Sequence, residues 1–256
     1  MKQRLPIPVI VAILLAIIVP YSIFHLIGPR FVDEAIVNKD VSRANLLLTL
    51  DPWLVNGTSI GFMLGYERPL HLASFYGDLP MVELLIKKGA QINSRNSTGQ
   101  TALHMASDQG HINVAEFLIS RGAPVDSRGD GNETPLHEAA GEGRNSMVTF
   151  LIGKGADINA RNSAGLAPLH WAVISRRKET IKLLVSKGAD IDTPCTDGDT
   201  PLHLASEDNE PDMVKLLVSM GADINRKNNE GKTPLALASR KNNKEIVVFL
   251  KAHGAL

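Results

Sequence analysis

Two hydrophobic patterns divide the chain. Leu5 to Ile27 is an unbroken run with no Asp, Glu, Lys or Arg. Farther on, apolar residues fall in short groups that return at a fixed phase. Five triplets, Leu84-Leu85-Ile86, Phe117-Leu118-Ile119, Phe150-Leu151-Ile152, Leu183-Leu184-Val185 and Leu216-Leu217-Val218, each precede a Gly-Ala pair. Those pairs are Gly89-Ala90, Gly122-Ala123, Gly155-Ala156, Gly188-Ala189 and Gly221-Ala222, with Gly254-Ala255 a sixth in phase. The pattern predicts one long apolar helix followed by a series of short repeated units. Glycine after each second helix suits a left-handed C-cap. Asn96-Ser97-Thr98-Gly99 and Asn228-Asn229-Glu230-Gly231 are turn sequences between units.

A hexapeptide fixes the register of these units. It starts at Arg68, Thr101, Thr134, Ala167, Thr200 and Thr233, so every step is identical and no insertion interrupts the series. Thr101-Ala102-Leu103-His104-Met105-Ala106 and Thr134-Pro135-Leu136-His137-Glu138-Ala139 are two of its copies. The threonine hydroxyl is expected to cap the first helix, and proline suits the first helical turn. Small residues such as Ala106 and Ala139 let paired helices approach closely. No unit can bury its own apolar face, so stability requires stacking.

This pattern resembles the ankyrin repeat. From 63 to 256 the chain reproduces that family's Thr-Pro-Leu-His-x-Ala signature and its period of about 33 residues. The resemblance implies an all-α fold, an ankyrin-repeat solenoid of paired antiparallel helices with no true sheet beyond hairpin tips; the apolar run adds one N-terminal transmembrane helix before it. Six repeats are expected at 68–100, 101–133, 134–166, 167–199, 200–232 and 233–256. Residues 32–67 read as a degenerate capping repeat: Ala35, Asp40 and Leu46-Leu47 echo Ala73, Asp78 and Leu84-Leu85. Gly57–Glu67 is an enlarged hairpin loop carrying Ile60, Phe62 and Met63. A short positive tail (1–4) and a linker (28–31) complete the division.

The apolar run Leu5–Ile27 would make about 34 Å of helix at ~1.5 Å per residue, enough for a bilayer core of about 30 Å. A cleaved leader is the competing reading. Cuts after Ser22 or Gly28 would place Pro20 or Leu26 where signal peptidase prefers a small residue. An uncleaved anchor is therefore favoured, with the lipid bilayer contacted through Leu5–Ile27. Lys2 and Arg4 make the tail the more positive flank, so the N-terminus is expected to be cytoplasmic and the repeats extracytoplasmic.

Composition narrows function by exclusion. Lys+Arg and Asp+Glu are both 27, and aromatics are 5% of the chain, which argues against nucleic acid as a partner. The single cysteine, Cys195, can form neither an internal disulfide nor a cysteine-rich metal site. His71, His104, His137, His170 and His203 share one phase. Equivalent positions in stacked repeats are about 8–10 Å apart, too far to share a metal ion. They read as structural imidazoles bonding neighbouring backbone. Gly129-Asp130-Gly131-Asn132 lacks the lysine of a phosphate loop and reads as a variant turn in phase with Asn162–Gly165. Asn56, Asn96 and Asn132 head sequons. No nucleophile–base set is recognisable, so no enzyme activity, cofactor or metal is expected.

The resemblance implies a protein-binding surface made from hairpin tips and the exposed ends of first helices. There the chain carries Phe75-Tyr76, Asp108-Gln109, Gly141-Glu142, Ile174-Ser175, Glu207-Asp208 and Arg240-Lys241. The candidate binding residues are Phe75, Tyr76, Asp108, Gln109, Glu142, Ile174, Glu207, Asp208, Arg240 and Lys241. The adjacent aromatics Phe75 and Tyr76 are the best anchors. Packing against the Gly57–Glu67 loop is their alternative role. Arg176-Arg177-Lys178 and Asn209-Glu210-Pro211-Asp212 stand where earlier units carry a turn glycine; pairing between neighbouring repeats is favoured over a charged partner patch. The expected function is a membrane-tethered protein-interaction scaffold. The alternative is an exported soluble protein, its leader cleaved, acting as inhibitor or accessory subunit of an enzyme.

Overall fold

The computed structural model describes residues 21–57 and 68–256. Among the described residues there are fourteen α-helices, one 3-10 helix and no strand. They group into two compact units. One holds residues up to Ala106 together with Asn113–Pro124; the other holds Ser107–Ile112 and Val125–Leu256.

The first unit begins with helix Tyr21–Val37, which packs on Val41–Leu50 and on Pro69–Phe75. Residues 28–31, expected as a linker, lie inside that first helix, and Pro29 is buried within it. A proline there removes one helical hydrogen bond. Burial of Val32, Ala35 and Ile36 at 0% exposure offsets that loss. The last part of the apolar run, Tyr21–Ile27, belongs to this same helix. Residues 5–20 of the expected spanning segment, and the kink expected at Pro20, lie outside the described residues. Among the described residues no helix is long and apolar enough to cross a membrane.

The echo between Asp40 and Asp78 has a physical basis. Asp40 accepts the Arg43 N–H at 2.9 Å and Asp78 accepts the Met81 N–H at 3.2 Å, each capping a second helix. Asn56 carries the cap onward: its Oδ1 accepts the Gln91 N–H at 3.0 Å and its Nδ2 donates to the Gly89 carbonyl at 3.1 Å. This sequon asparagine is thus engaged on both sides of its amide. The loop 58–67 lies outside the described residues.

The second unit repeats one plan. First helices Pro135–Gly141, Pro168–Ile174, Pro201–Glu207 and Pro234–Arg240 alternate with second helices Asn145–Gly153, Lys178–Ser186, Pro211–Ser219 and Lys244–Ala252. One leucine per second helix carries the core: Leu151, Leu184, Leu217 and Leu250 are all 0% exposed. The Asn or Asp that follows each Gly-Ala pair ties one repeat to the next. Asn159 accepts the Asp190 N–H at 3.0 Å, Asp192 the Asp223 N–H at 2.9 Å, and Asn225 the Leu256 N–H at 2.9 Å.

The turn between paired helices needs a left-handed residue. Gly77, Gly110 and Gly143 supply it with φ of 66°, 81° and 73°. Arg176, Asn209 and Asn242 occupy the same place with φ of 58°, 59° and 62°. The backbone keeps its path where the glycine is lost, at a cost of about 1–2 kcal/mol for a bulky residue such as arginine. Asn132 does likewise: at φ 60° it stands where Gly165 has 72°. Gly129-Asp130-Gly131-Asn132 is therefore a turn, closed by the Gly129 N–H on the Glu133 carbonyl at 2.9 Å.

Candidate protein-binding surface

The histidines anchor the base of the surface. In the Thr134 and Thr200 units the ring Nδ1 accepts the threonine N–H, at 3.1 Å for His137 and 3.2 Å for His203. With Nδ1 accepting, the proton sits on Nε2 and is donated forward to a carbonyl. His137 reaches Leu166 at 3.0 Å and His203 reaches Lys232 at 3.1 Å; His170 reaches Asp199 at 3.3 Å. Each imidazole pins the next hairpin, as the sequence implied.

The threonine cap takes a different form from the one expected. The Thr134 hydroxyl lies 2.9 Å from His137 Nδ1 within a capping box, in which the histidine side chain takes the Thr134 N–H in return. In the last unit, where alanine replaces histidine, Thr233 accepts the Ala236 N–H at 3.3 Å. His71 stands apart. Arg68 replaces the threonine, and the buried His71 Nδ1 has no hydrogen-bond partner among the described residues, while its Nε2 lies 3.0 Å from both the Ser94 and Gln100 carbonyls. Burial pushes the His71 and His170 imidazoles down to about 4 and lowers that of His203. They are neutral structural donors at neutral pH, and among the described residues no group of His, Cys, Asp and Glu is arranged to hold a metal.

The candidate binding residues divide between the units. Phe75 and Tyr76 lie in the first, both half-buried, their rings T-shaped at 5.4 Å. The other eight lie in the second. Ile174 is 48% exposed, at the phase held by Gly141, Glu207 and Arg240 in its neighbours. One turn earlier is Trp171, which the surface pattern did not single out. Its ring is edge-on to His137 at 5.6 Å and lies so close over Gly141 that an added Cβ there would come within 3.1 Å. The absence of a side chain at Gly141 leaves room for this close approach of the Trp171 ring.

Charges along this row are mostly answered by the next repeat. Arg177 pairs with Glu142 at 3.5 Å, and Arg240 and Lys241 pair with Glu207 at 2.7 and 3.4 Å. Arg176 meets Glu210 at 2.5 Å and Lys178 meets Asp212 at 2.6 Å. The basic run is thus a set of inter-repeat pairs, each worth at most about 1 kcal/mol at a surface. Three further side chains cap helix ends. Arg144 donates to the Asp108 carbonyl and Arg177 to that of Gly141, both at 2.8 Å, and Asn243 donates to Ser206 and Glu207 at 2.8 and 3.2 Å. Cationic groups at a helix C-terminus also suit its dipole. The signal for them was present as polar residues just before second helices. Asp108 accepts from Gln109 at 2.6 Å; burial, with help from nearby Glu142, raises its carboxyl above the usual range. Asp208 is exposed.

Comparison with known proteins agrees with this architecture. The profile of ankyrin repeats (three copies) matches residues 34–129, 125–195 and 169–255. The chain belongs to the ankyrin-repeat family. Among curated proteins it is similar to a probable E3 ubiquitin-protein ligase, XBOS33, of Oryza sativa subsp. japonica, at 43% identity over 75 residues. An E3 ubiquitin-protein ligase, XBAT33, of Arabidopsis thaliana is 40% identical over 75 residues. Each alignment covers 29% of this chain and 14% of the relative, so the chain spans a small part of the length of the curated relatives it matches. Ligase activity belongs to the names of those much longer proteins.

Proposed function

We propose that this chain is a membrane-tethered scaffold that binds another protein through the exposed ends of its first helices, without catalysis of its own. The observation that carries this reading is Ile174, 48% exposed beside the half-buried Trp171, at a position the stack does not require to be apolar. An exposed aliphatic residue next to a preorganised aromatic ring is the composition of an interface anchor. Phe75 and Tyr76 are a second anchor, in the first unit. Ankyrin repeats present such surfaces for protein partners, which supports the class of ligand by family analogy.

The partner is to be captured on the full-length chain from detergent-solubilised membranes and its affinity then measured with purified components. Ile174→Ala is expected to weaken binding by about 1–3 kcal/mol with an unchanged melting temperature. Phe75→Ala and Tyr76→Ala are expected to weaken it similarly. If these two melt early and bind normally once folded, their rings serve packing and the anchor lies elsewhere. Normal binding by all three variants would overturn the site.

Attachment rests on the uncharged length of Leu5–Ile27 and the poor cleavage sites around it. The chain is expected to stay in the membrane fraction after a carbonate wash. Release of a species beginning near residues 23–29 would instead establish the exported, leader-cleaved form. A reporter fused after Leu256 is expected to be active on the extracytoplasmic side; activity confined to the cytoplasm would reverse the proposed orientation.

A further inference from the structure

In the first unit a crevice of about 270 Å3 opens between helix Val41–Leu50 and helix Leu79–Lys87. Its lining is Val41, Ser42, Asn45, Leu84, Lys87 and Lys88. Both ionisable groups are lysines, and no carboxylate lines it. Asp40, next to Val41 in the chain, accepts the Arg43 N–H with one carboxylate oxygen, and Glu34 pairs with the Arg43 guanidinium at 3.1 Å. Glu83, one turn before Lys87, is exposed and lines no part of the crevice.

The donors have been left open. Lys88 Nζ donates to Thr49 Oγ1 at 2.8 Å, and that hydroxyl in turn donates to the Asn45 carbonyl at 2.6 Å. This holds the ammonium across the crevice with two of its three N–H groups to spare. The Ser42 hydroxyl, the Asn45 side-chain amide and the Lys87 ammonium make no hydrogen bond or ion pair with other described residues. In the second unit two lysines between successive second helices are instead paired, Lys178 with Asp212 at 2.6 Å and Lys215 with Glu245 at 2.7 Å. The fold does not ask for a cation at Lys87 either: its equivalents are Ser120, Gly153, Ser186, Ser219 and Ala252.

We propose that this crevice binds a phosphate monoester, its phosphoryl oxygens taking the Ser42, Asn45, Lys87 and Lys88 donors and its small organic group resting on Val41 and Leu84. Two ammonium groups match the near-dianionic charge of a monoester, and charge-assisted bonds to them are the strong ones. The volume lies just below the range of about 300–1,000 Å3 typical of drug-sized ligands, which suits an ester of a few carbon atoms. A free metabolite and a phosphatidic-acid headgroup present the same chemistry. The inference does not depend on the protein-binding surface proposed above.

Lysine acetylation, read residue by residue by mass spectrometry on the full-length chain, tests it. One arm adds phenyl phosphate to the chain in detergent. The other compares phosphatidylcholine nanodiscs with and without phosphatidic acid. Lys87 and Lys88 are expected to label more slowly by about threefold or more at saturation, while Lys187 is unaffected. Protection in the phenyl phosphate arm identifies a soluble ester; protection confined to the phosphatidic-acid arm identifies a lipid headgroup. Lys87→Gln, a surface change, is expected to abolish protection of Lys88. The proposal fails if no lysine is protected in either arm, if all lysines slow together, or if Lys88 is still protected in Lys87→Gln.

Discussion

Lowering the pH from 7.5 towards 4 is expected to destabilise the repeat domain steeply, well before its carboxylates are protonated. His71 and His170 have folded-state values of about 4 against about 6.5 in an unfolded chain, because burial disfavours the imidazolium; His203 is lowered for the same reason. A group whose folded value is depressed in this way is neutral in both states above pH 6.5 and contributes nothing to pH dependence there. As pH falls below 6.5 the unfolded chain takes up protons that the folded one refuses, so stability is lost. The loss from each imidazole stops growing near its folded value. At about 1.4 kcal/mol per unit, each of His71 and His170 costs up to roughly 3 kcal/mol at pH 4. Asp108 and Asp192 work the other way, since burial raises their carboxyls and acid therefore favours the folded form, though both are only partly buried. Thermal melts between pH 7.5 and 4 are expected to fall mainly below 6.5. His170→Gln, which keeps one donor and one acceptor but does not titrate, is expected to flatten part of that slope. A melting temperature constant from pH 7 to 5 would show that these imidazoles are not buried as described.

Truncation of the leucine ladder is expected to have the next largest effect. Leu85, Leu118, Leu151, Leu184, Leu217 and Leu250 stand one period apart and are all 0% exposed. Leu118→Ala is expected to cost about 2–5 kcal/mol, the transfer energy of the lost methylenes plus the cavity left behind. Close packing among short helices leaves little room for collapse: neighbours such as Val114 and Ala115 are themselves 0% exposed. In repeat proteins such a loss also weakens coupling to neighbouring units, because stability is a sum of unit and neighbour terms. Urea titration of wild type and variant, followed by circular dichroism, measures it. A loss below about 1 kcal/mol would mean that the site relaxes around the smaller side chain.

Much of this molecule was legible as a sequence because its structure is periodic. One fixed step along the chain placed the helix pairs, the buried leucines and the histidines that bond the following hairpin, and all of these follow from local geometry repeated at one phase. The echo of Asp78 in Asp40 was readable for the same reason: each caps a second helix.

What periodicity could not supply were relations between side chains of different repeats. Pairing between the Arg176–Lys178 and Asn209–Asp212 runs was favoured from the sequence, but which groups meet, Arg176 with Glu210 and Lys178 with Asp212, depends on rotamers across the gap between repeats. The threonine hydroxyls read as simple caps along the chain, but Thr134 and Thr200 share theirs with the imidazole three residues on. Trp171 approaches Gly141 of the preceding repeat closely, a contact that no pattern along the chain announces. The Lys87–Lys88 crevice has no signature along the chain, since its donors come from two helices brought together by packing. The sequence by itself determined the unit and its core, because every unit must bury the same apolar face. Tertiary structure alone decided which polar groups are satisfied by neighbouring repeats and which stay open to a ligand, because that depends on contacts the repeat does not need in order to fold.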